Sequence, residues 1–64
     1  MVRINGEEVA ADNRILLEYL NENEYAPEKI AVELNGYIVP KAQYAATALM
    51  PGDSLEIVWF VGGG

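Results

Sequence analysis

Residues 30–40 read IAVELNGYIVP, and this stretch decides the fold. Ile30, Val32 and Leu34 alternate with Ala31 and Glu33, the period of a half-buried strand. Asn35-Gly36 follows, a pair that tolerates positive φ at both centres of a type I′ turn. Tyr37, Ile38 and Val39 then return as a second strand. Pro40, which has no N–H to give to a ladder, closes it. A tight hairpin is predicted here.

The same device stands near the start. Val2 and Ile4 alternate with Arg3, Asn5-Gly6 supplies the turn, and Glu7 to Ala10 return. Between the hairpins, Asp12 or Asn13 is placed to cap a helix with Ile15, Leu16, Tyr19 and Leu20 in one apolar stripe. Asparagines and glutamates at 21–24 weaken that helix and Pro27 ends it, for a length of roughly ten to thirteen residues. After the second hairpin, Lys41 to Leu49 reads as one or two helical turns, 3₁₀ in character, crossing the sheet edge. Met50-Pro51-Gly52-Asp53 is a tight turn, and Ser54 to Val61 is the last strand. The order β-β-α-β-β-(short helix)-β predicts an α+β fold: a mixed five-stranded sheet packed on one helix, with the last strand central and parallel to the first. The domain is read as residues 1–61. Gly62-Gly63-Gly64, without side chains to pack, is predicted to extend into solvent as a flexible tail.

Composition removes most functional classes. With 64 residues the chain builds one modest core, and a 52% hydrophobic content separates it from disordered sequences. It has no cysteine and no histidine. Disulfides, Cys/His zinc sites and the usual Ser-His or Cys-His nucleophile pairs are therefore excluded, and no metal site is expected. Ten acidic residues against four basic ones give a net charge of −6, which phosphate backbones repel, so no nucleic-acid partner is expected. No apolar run approaches the roughly 20 residues that span a bilayer, and the first residues lack a signal-peptide pattern. Cytoplasmic residence with no membrane partner is the expectation.

Acidic pairs offer no catalytic pair either. Glu7 and Glu8 point to opposite faces of a strand, and Glu22, Glu24 and Glu28 read as a solvated patch near a helix end. Taking Leu55 and Ile57 as inward puts Val58 and Phe60 on the helix-free face with Glu56. If Ala31 and Glu33 share that face, a shallow apolar patch with an acidic rim results, the kind of surface that marks a partner site. Trp59, adjacent on the strand, completes the docking set Val58, Trp59 and Phe60. An alternative is that Phe60 is merely half-covered by its neighbours. Tyr19, Tyr44 and Leu49 are assigned to the core or its edge.

The glycine end follows a strongly hydrophobic strand with no linker. Such an end is either merely frayed or a reactive handle: without Cβ atoms it can enter a narrow channel and bring a carboxylate to the α-phosphate of ATP. A terminal carboxyl, with a reference pKa of about 3.3–3.7, is ionised at neutral pH and a poor electrophile until it is activated.

The chain resembles the ThiS family of thiamine-biosynthesis sulfur carriers, ubiquitin-like β-grasp proteins related to MoaD. The resemblance is carried, in order, by Asn5-Gly6, Leu16-Leu17, Val32-Glu33-Leu34-Asn35-Gly36, Ile38-Val39-Pro40-Lys41, Gly52-Asp53-Ser54-Leu55-Glu56-Ile57-Val58 and Phe60-Val61-Gly62-Gly63-Gly64. Trp59 departs from it, where such sequences often carry a polar or smaller residue. The resemblance implies that a ThiF-like adenylating enzyme uses ATP to activate the Gly64 carboxylate. Sulfur from a cysteine desulfurase route then yields a Gly64 thiocarboxylate, which a ThiG-like thiazole synthase consumes. Gly62 and Gly63 would serve tail recognition. The chain itself would be no enzyme and hold no cofactor. Two alternatives stay open from the sequence: the small subunit of molybdopterin synthase, and a ubiquitin-like binding or modifier module without sulfur chemistry.

Overall fold

The computed structural model describes residues 1–60. The expected boundary at residue 61 and the tail Gly62, Gly63 and Gly64 lie outside the described residues. Five strands form one mixed sheet: β1 (Val2–Ile4), β2 (Glu7–Val9), β3 (Ile30–Leu34), β4 (Tyr37–Ile38) and β5 (Ser54–Trp59). Their spatial order is β2-β1-β5-β3-β4. β5 is central, parallel to β1 and antiparallel to β3, as the element order predicts. The helix α1 (Leu16–Glu22) covers one face, and 3₁₀ turns run over Pro27–Lys29 and Lys41–Ala46.

Both hairpins turn as their sequences require. Asn5 and Gly6 sit at φ 51 and 86, Asn35 and Gly36 at 52 and 88, the two left-handed positions of a type I′ turn. In each turn the asparagine also reaches β5. Asn5 Oδ1 accepts from the Ile57 N–H at 2.8 Å, where a longer β1 would have offered a carbonyl. Asn35 Oδ1 accepts from the Ser54 N–H at 2.9 Å, and its amide donates to Asp53 at 3.0 Å. The turn residues thus lock the central strand as well as reversing the chain.

The helix is shorter than expected, seven residues from Leu16 to Glu22. Neither Asp12 nor Asn13 caps it; the N-cap is Ile15, extended and without a side-chain cap. Residues 13–16 give their backbone groups to the crossover segment instead. Asn13 N–H donates to Leu49, Leu49 N–H to the Arg14 carbonyl at 2.8 Å, and Leu16 N–H to Thr47 at 2.7 Å, around an isolated Ile15–Ala48 bridge. Asn13, at φ 66, could not have continued a helix. At the far end Glu24 takes φ 63, with Glu24 N–H bonded to the Asn21 carbonyl and Tyr25 N–H to that of Leu20. This is a Schellman stop with glutamate in the place glycine usually holds.

Leu16 and Leu20 project from α1 into a core with Val2, Ile4, Ile30, Val32, Leu55, Ile57, Tyr44 and Leu49. Tyr44 and Leu49 lie in the core and Tyr19 at its edge, as assigned. No helix among the described residues is long and apolar enough to cross a membrane.

Candidate functional site

The sheet has one face under α1 and one face bare among the described residues, and the bare face gathers two of the three predicted docking residues, Val58 and Phe60. Strand register places Ala31 opposite Val58 and Glu33 opposite Glu56, with Ile38 opposite Glu33 on the far side. Ile38 is 72% exposed, Val58 54% and Phe60 45%. The apolar row of Ala31 and Val58 therefore lies beside a facing pair of carboxylates, Glu33 and Glu56. Like charges directly opposite across strands disfavour the pairing, and neither carboxylate joins an ion pair among the described residues.

Trp59 does not join that face. Strand alternation sends it to the helix side, where its ring stacks on Tyr25 with centroids 5.6 Å apart and planes 29° apart. It is half exposed there. The expected set thus splits: Val58 and Phe60 lie on the bare face, and Trp59 buttresses the other side of the same strand end. Gly62, Gly63 and Gly64 lie outside the described residues.

Phe60 is tied down where the described chain ends. Its N–H donates to the Lys29 carbonyl at 2.8 Å, and the Lys41 ammonium stands 5.4 Å from its ring centroid. Neither contact was read from the sequence. Lys41 appeared only as part of a motif, and a side chain reaching across two strands leaves no periodic signal.

Elsewhere the surface offers little chemistry. A cavity of about 240 Å³ is lined by Met1, Arg3, Glu8, Gly52, Asp53 and Ser54. Its cations are already paired, Arg3 with Glu8 at 3.1 Å and the Met1 ammonium with Asp12 at 2.9 Å. It opens at the start of β5, about 20 Å along the strand from Phe60 at the usual rise per residue. No group of three or more acidic, histidine or cysteine side chains among the described residues is placed to hold a metal ion. Arg14 pairs with Glu22, whose hydrogen bond and charge raise the guanidinium above its ordinary value. Burial pushes the phenols of Tyr19 and Tyr44 upward, Tyr19 with a further contribution from Tyr25 and Glu7.

Comparison with known proteins gives this surface a context. A model described as the ThiS family matches residues 1–64. The crystal structure of a thiamine biosynthesis protein (ThiS) from Geobacter metallireducens is similar at a TM-score of 0.78 and 33% identity, covering 98% of this chain and 97% of that one. A thiazole synthase of Paramagnetospirillum magneticum is 48% identical over 62 residues, 95% of this chain but 19% of the relative. The chain thus spans about a fifth of the length of that relative. An uncharacterized protein, ycf40, of Pyropia yezoensis is 38% identical over 64 residues, 98% of this chain and 90% of the relative.

Proposed function

The chain belongs to the ThiS family, and from that premise we propose that it is a sulfur carrier for thiazole formation in thiamine biosynthesis, with the Gly64 carboxylate as its reactive group. An ATP-dependent activating enzyme joins that carboxylate to AMP with release of pyrophosphate. A persulfide sulfur then attacks the acyl carbon as the bond to AMP breaks, and reduction of the resulting S–S bond by a thiol leaves the thiocarboxylate. A thiazole synthase takes the sulfur from it. The observation that carries this reading is a family match running through the terminal glycines on a chain with no histidine or cysteine of its own. A relative named thiazole synthase, with a stretch 48% identical to this chain, supports the choice of acceptor.

In this reading the chain is a co-substrate rather than an enzyme. Gly62 and Gly63 enter the activating site because they present no side chains to it. Val58 and Phe60 dock the domain, with Trp59 bracing the strand end from the helix side. ATP, the desulfurase-derived persulfide and all acid–base groups belong to the partners, and the carrier works in their compartment, the cytoplasm.

Intact-mass analysis tests this. After incubation with an activating enzyme for C-terminal glycines, ATP and a persulfide donor, the expected result is an oxygen-for-sulfur gain confined to Gly64. Deleting Gly64 should abolish the gain without altering the circular dichroism spectrum. No gain with any cognate activating enzyme would sink the proposal.

A further inference from the structure

Charge on the bare face is unevenly settled. Arg3 reaches that face by alternation with the buried Val2 and Ile4, and it is bound to Glu8 at 3.1 Å. At the other end the Lys41 ammonium donates to the Ile30 carbonyl at 2.8 Å and stands 5.4 Å from the Phe60 ring centroid. Between these two cations lie Glu33 and Glu56, directly opposite each other on β3 and β5. Both are exposed, and neither forms an ion pair with a described residue. Residues so placed have Cβ atoms about 5 Å apart, and two carboxylates there repel. Glutamine at either position would relieve the repulsion with a side chain of the same length.

Exposed charges on a sheet often do no more than keep it soluble and discourage edge pairing. The setting of this pair asks for more. Exposed Ile38 lies beside Glu33 across β4, and the Ala31–Val58 row lies next along the strands. Anything that covers this apolar surface also takes the two carboxylates out of water. A carboxylate desolvated without a partner is strongly unfavourable, so the covering surface must bring a cation. A second copy packed face to face brings the same two carboxylates and a net charge of −6. An anionic lipid surface is repelled by the same charge. A basic protein surface meets the requirement.

Resting on the sulfur-carrier reading, we propose that Glu33 and Glu56 are a receptor for a cationic side chain of the activating enzyme, an arginine seated between the two carboxylates while apolar neighbours cover Val58 and Ile38. A guanidinium has five N–H donors in a planar fork and can serve both carboxylates, where an ammonium is a compact point charge. The pair that burdens the free chain thereby selects its partner: repulsion within the carrier becomes attraction in the complex.

The test measures two quantities for each variant: the dissociation constant for the activating enzyme, by calorimetric titration without ATP, and the urea midpoint of the carrier alone. Glu33→Gln should raise the midpoint and weaken binding about 5- to 20-fold, through loss of charge-assisted bonds in a desolvated contact. Its affinity should also fall less steeply with salt than that of the wild type. Glu56→Lys supplies the missing cation from within the chain, so it should be the most stable variant and the weakest binder. Glu18→Gln, which removes an exposed charge on α1, should bind within twofold of wild type. Unchanged affinity in Glu33→Gln and Glu56→Lys would overturn the proposal, and an equal loss in Glu18→Gln would reduce it to net charge. Weaker binding with a lowered midpoint would trace the loss to the fold and overturn it too. So would magnesium chloride that raises the midpoint of the wild type but not of Glu33→Gln, since the pair would then be a metal ligand. A wild type that neither binds the activating enzyme nor gains sulfur removes the carrier reading itself. A wild type that gains sulfur beside indifferent glutamate variants removes only the receptor.

Discussion

Ser54–Ile57 and Val58–Phe60 are consecutive stretches of one strand end, yet they live in different surroundings. In the first, Leu55 and Ile57 are buried, β1 and β3 flank the backbone, and both turn asparagines bind it. In the second, every residue is about half exposed and only β3 remains alongside, because β1 ends opposite Leu55. Two of the first four residues are apolar and all three of the second, so the more apolar stretch is the one that has lost its neighbours. A central strand has become an edge strand within a few residues, and its hydrophobic side chains have turned from architecture into surface. The proposed docking residues are the continuation of the core strand past the end of its partner.

The largest effect should come from the buried half. Leu55→Ala removes a fully buried side chain from a one-core domain, with an expected loss of about 2–5 kcal/mol. Domains of this size hold roughly 3–10 kcal/mol in total, so the variant should be partly or wholly unfolded in urea titration. A loss below about 1 kcal/mol would mean that the two halves do not differ as described.

Next in size is the lock at the turn. Asn5→Ala forces a Cβ-bearing residue without a local hydrogen bond to keep φ near 51 and strips the Ile57 N–H of its acceptor. Together these should cost about 2–3 kcal/mol. Asn5→Gly tolerates the turn and loses only the acceptor, so it should cost ~1 kcal/mol by the same measurement. Equal losses in the two variants would show that the strain of a positive φ contributes nothing and that the bond to β5, lost in both, carries the whole effect.

These residues also mark where the sequence was legible. Both Asn-Gly turns, the alternation around them and the burial of Leu55 and Ile57 are local patterns, and all appear as expected. The bare face followed from the same alternation. What the sequence concealed was each group's choice among competing partners. Residues 13–15 could have opened a helix, but the crossover segment claimed their backbone groups. The 3₁₀ turn at Pro27–Lys29 was read only as a helix stop. The Tyr25–Trp59 stack and the Lys41 contact join residues 34 and 19 positions apart, and no local window reports such pairs.

A pH titration sharpens the contrast without a large substitution. The core that Leu55 and Ile57 share holds one fully buried phenol, Tyr44, whose ionisation burial pushes upward. The folded state thus prefers the neutral phenol. Its contribution is complete below the ordinary tyrosine value of about 10 and is lost as pH rises from there through the higher folded value. Urea midpoints should be flat with respect to this group at neutral pH and fall in alkali, and Tyr44→Phe should flatten part of that fall. An unchanged alkaline slope in Tyr44→Phe would place the titration elsewhere, with Tyr19 the next group to examine.

The smallest effect on folding belongs to the exposed half. Val58→Thr keeps a β-branched side chain on the strand and removes apolar surface that water already reaches, so stability should stay within about 0.5 kcal/mol of wild type. If Val58 and the Ala31 row meet a partner, the same change leaves a hydroxyl buried without a bond in the complex, and KM for the carrier in thiocarboxylate formation should rise several-fold while kcat holds. A Val58→Thr protein that lost stability but kept its KM would return this half of β5 to the architecture and leave the docking face to be sought around Ile38.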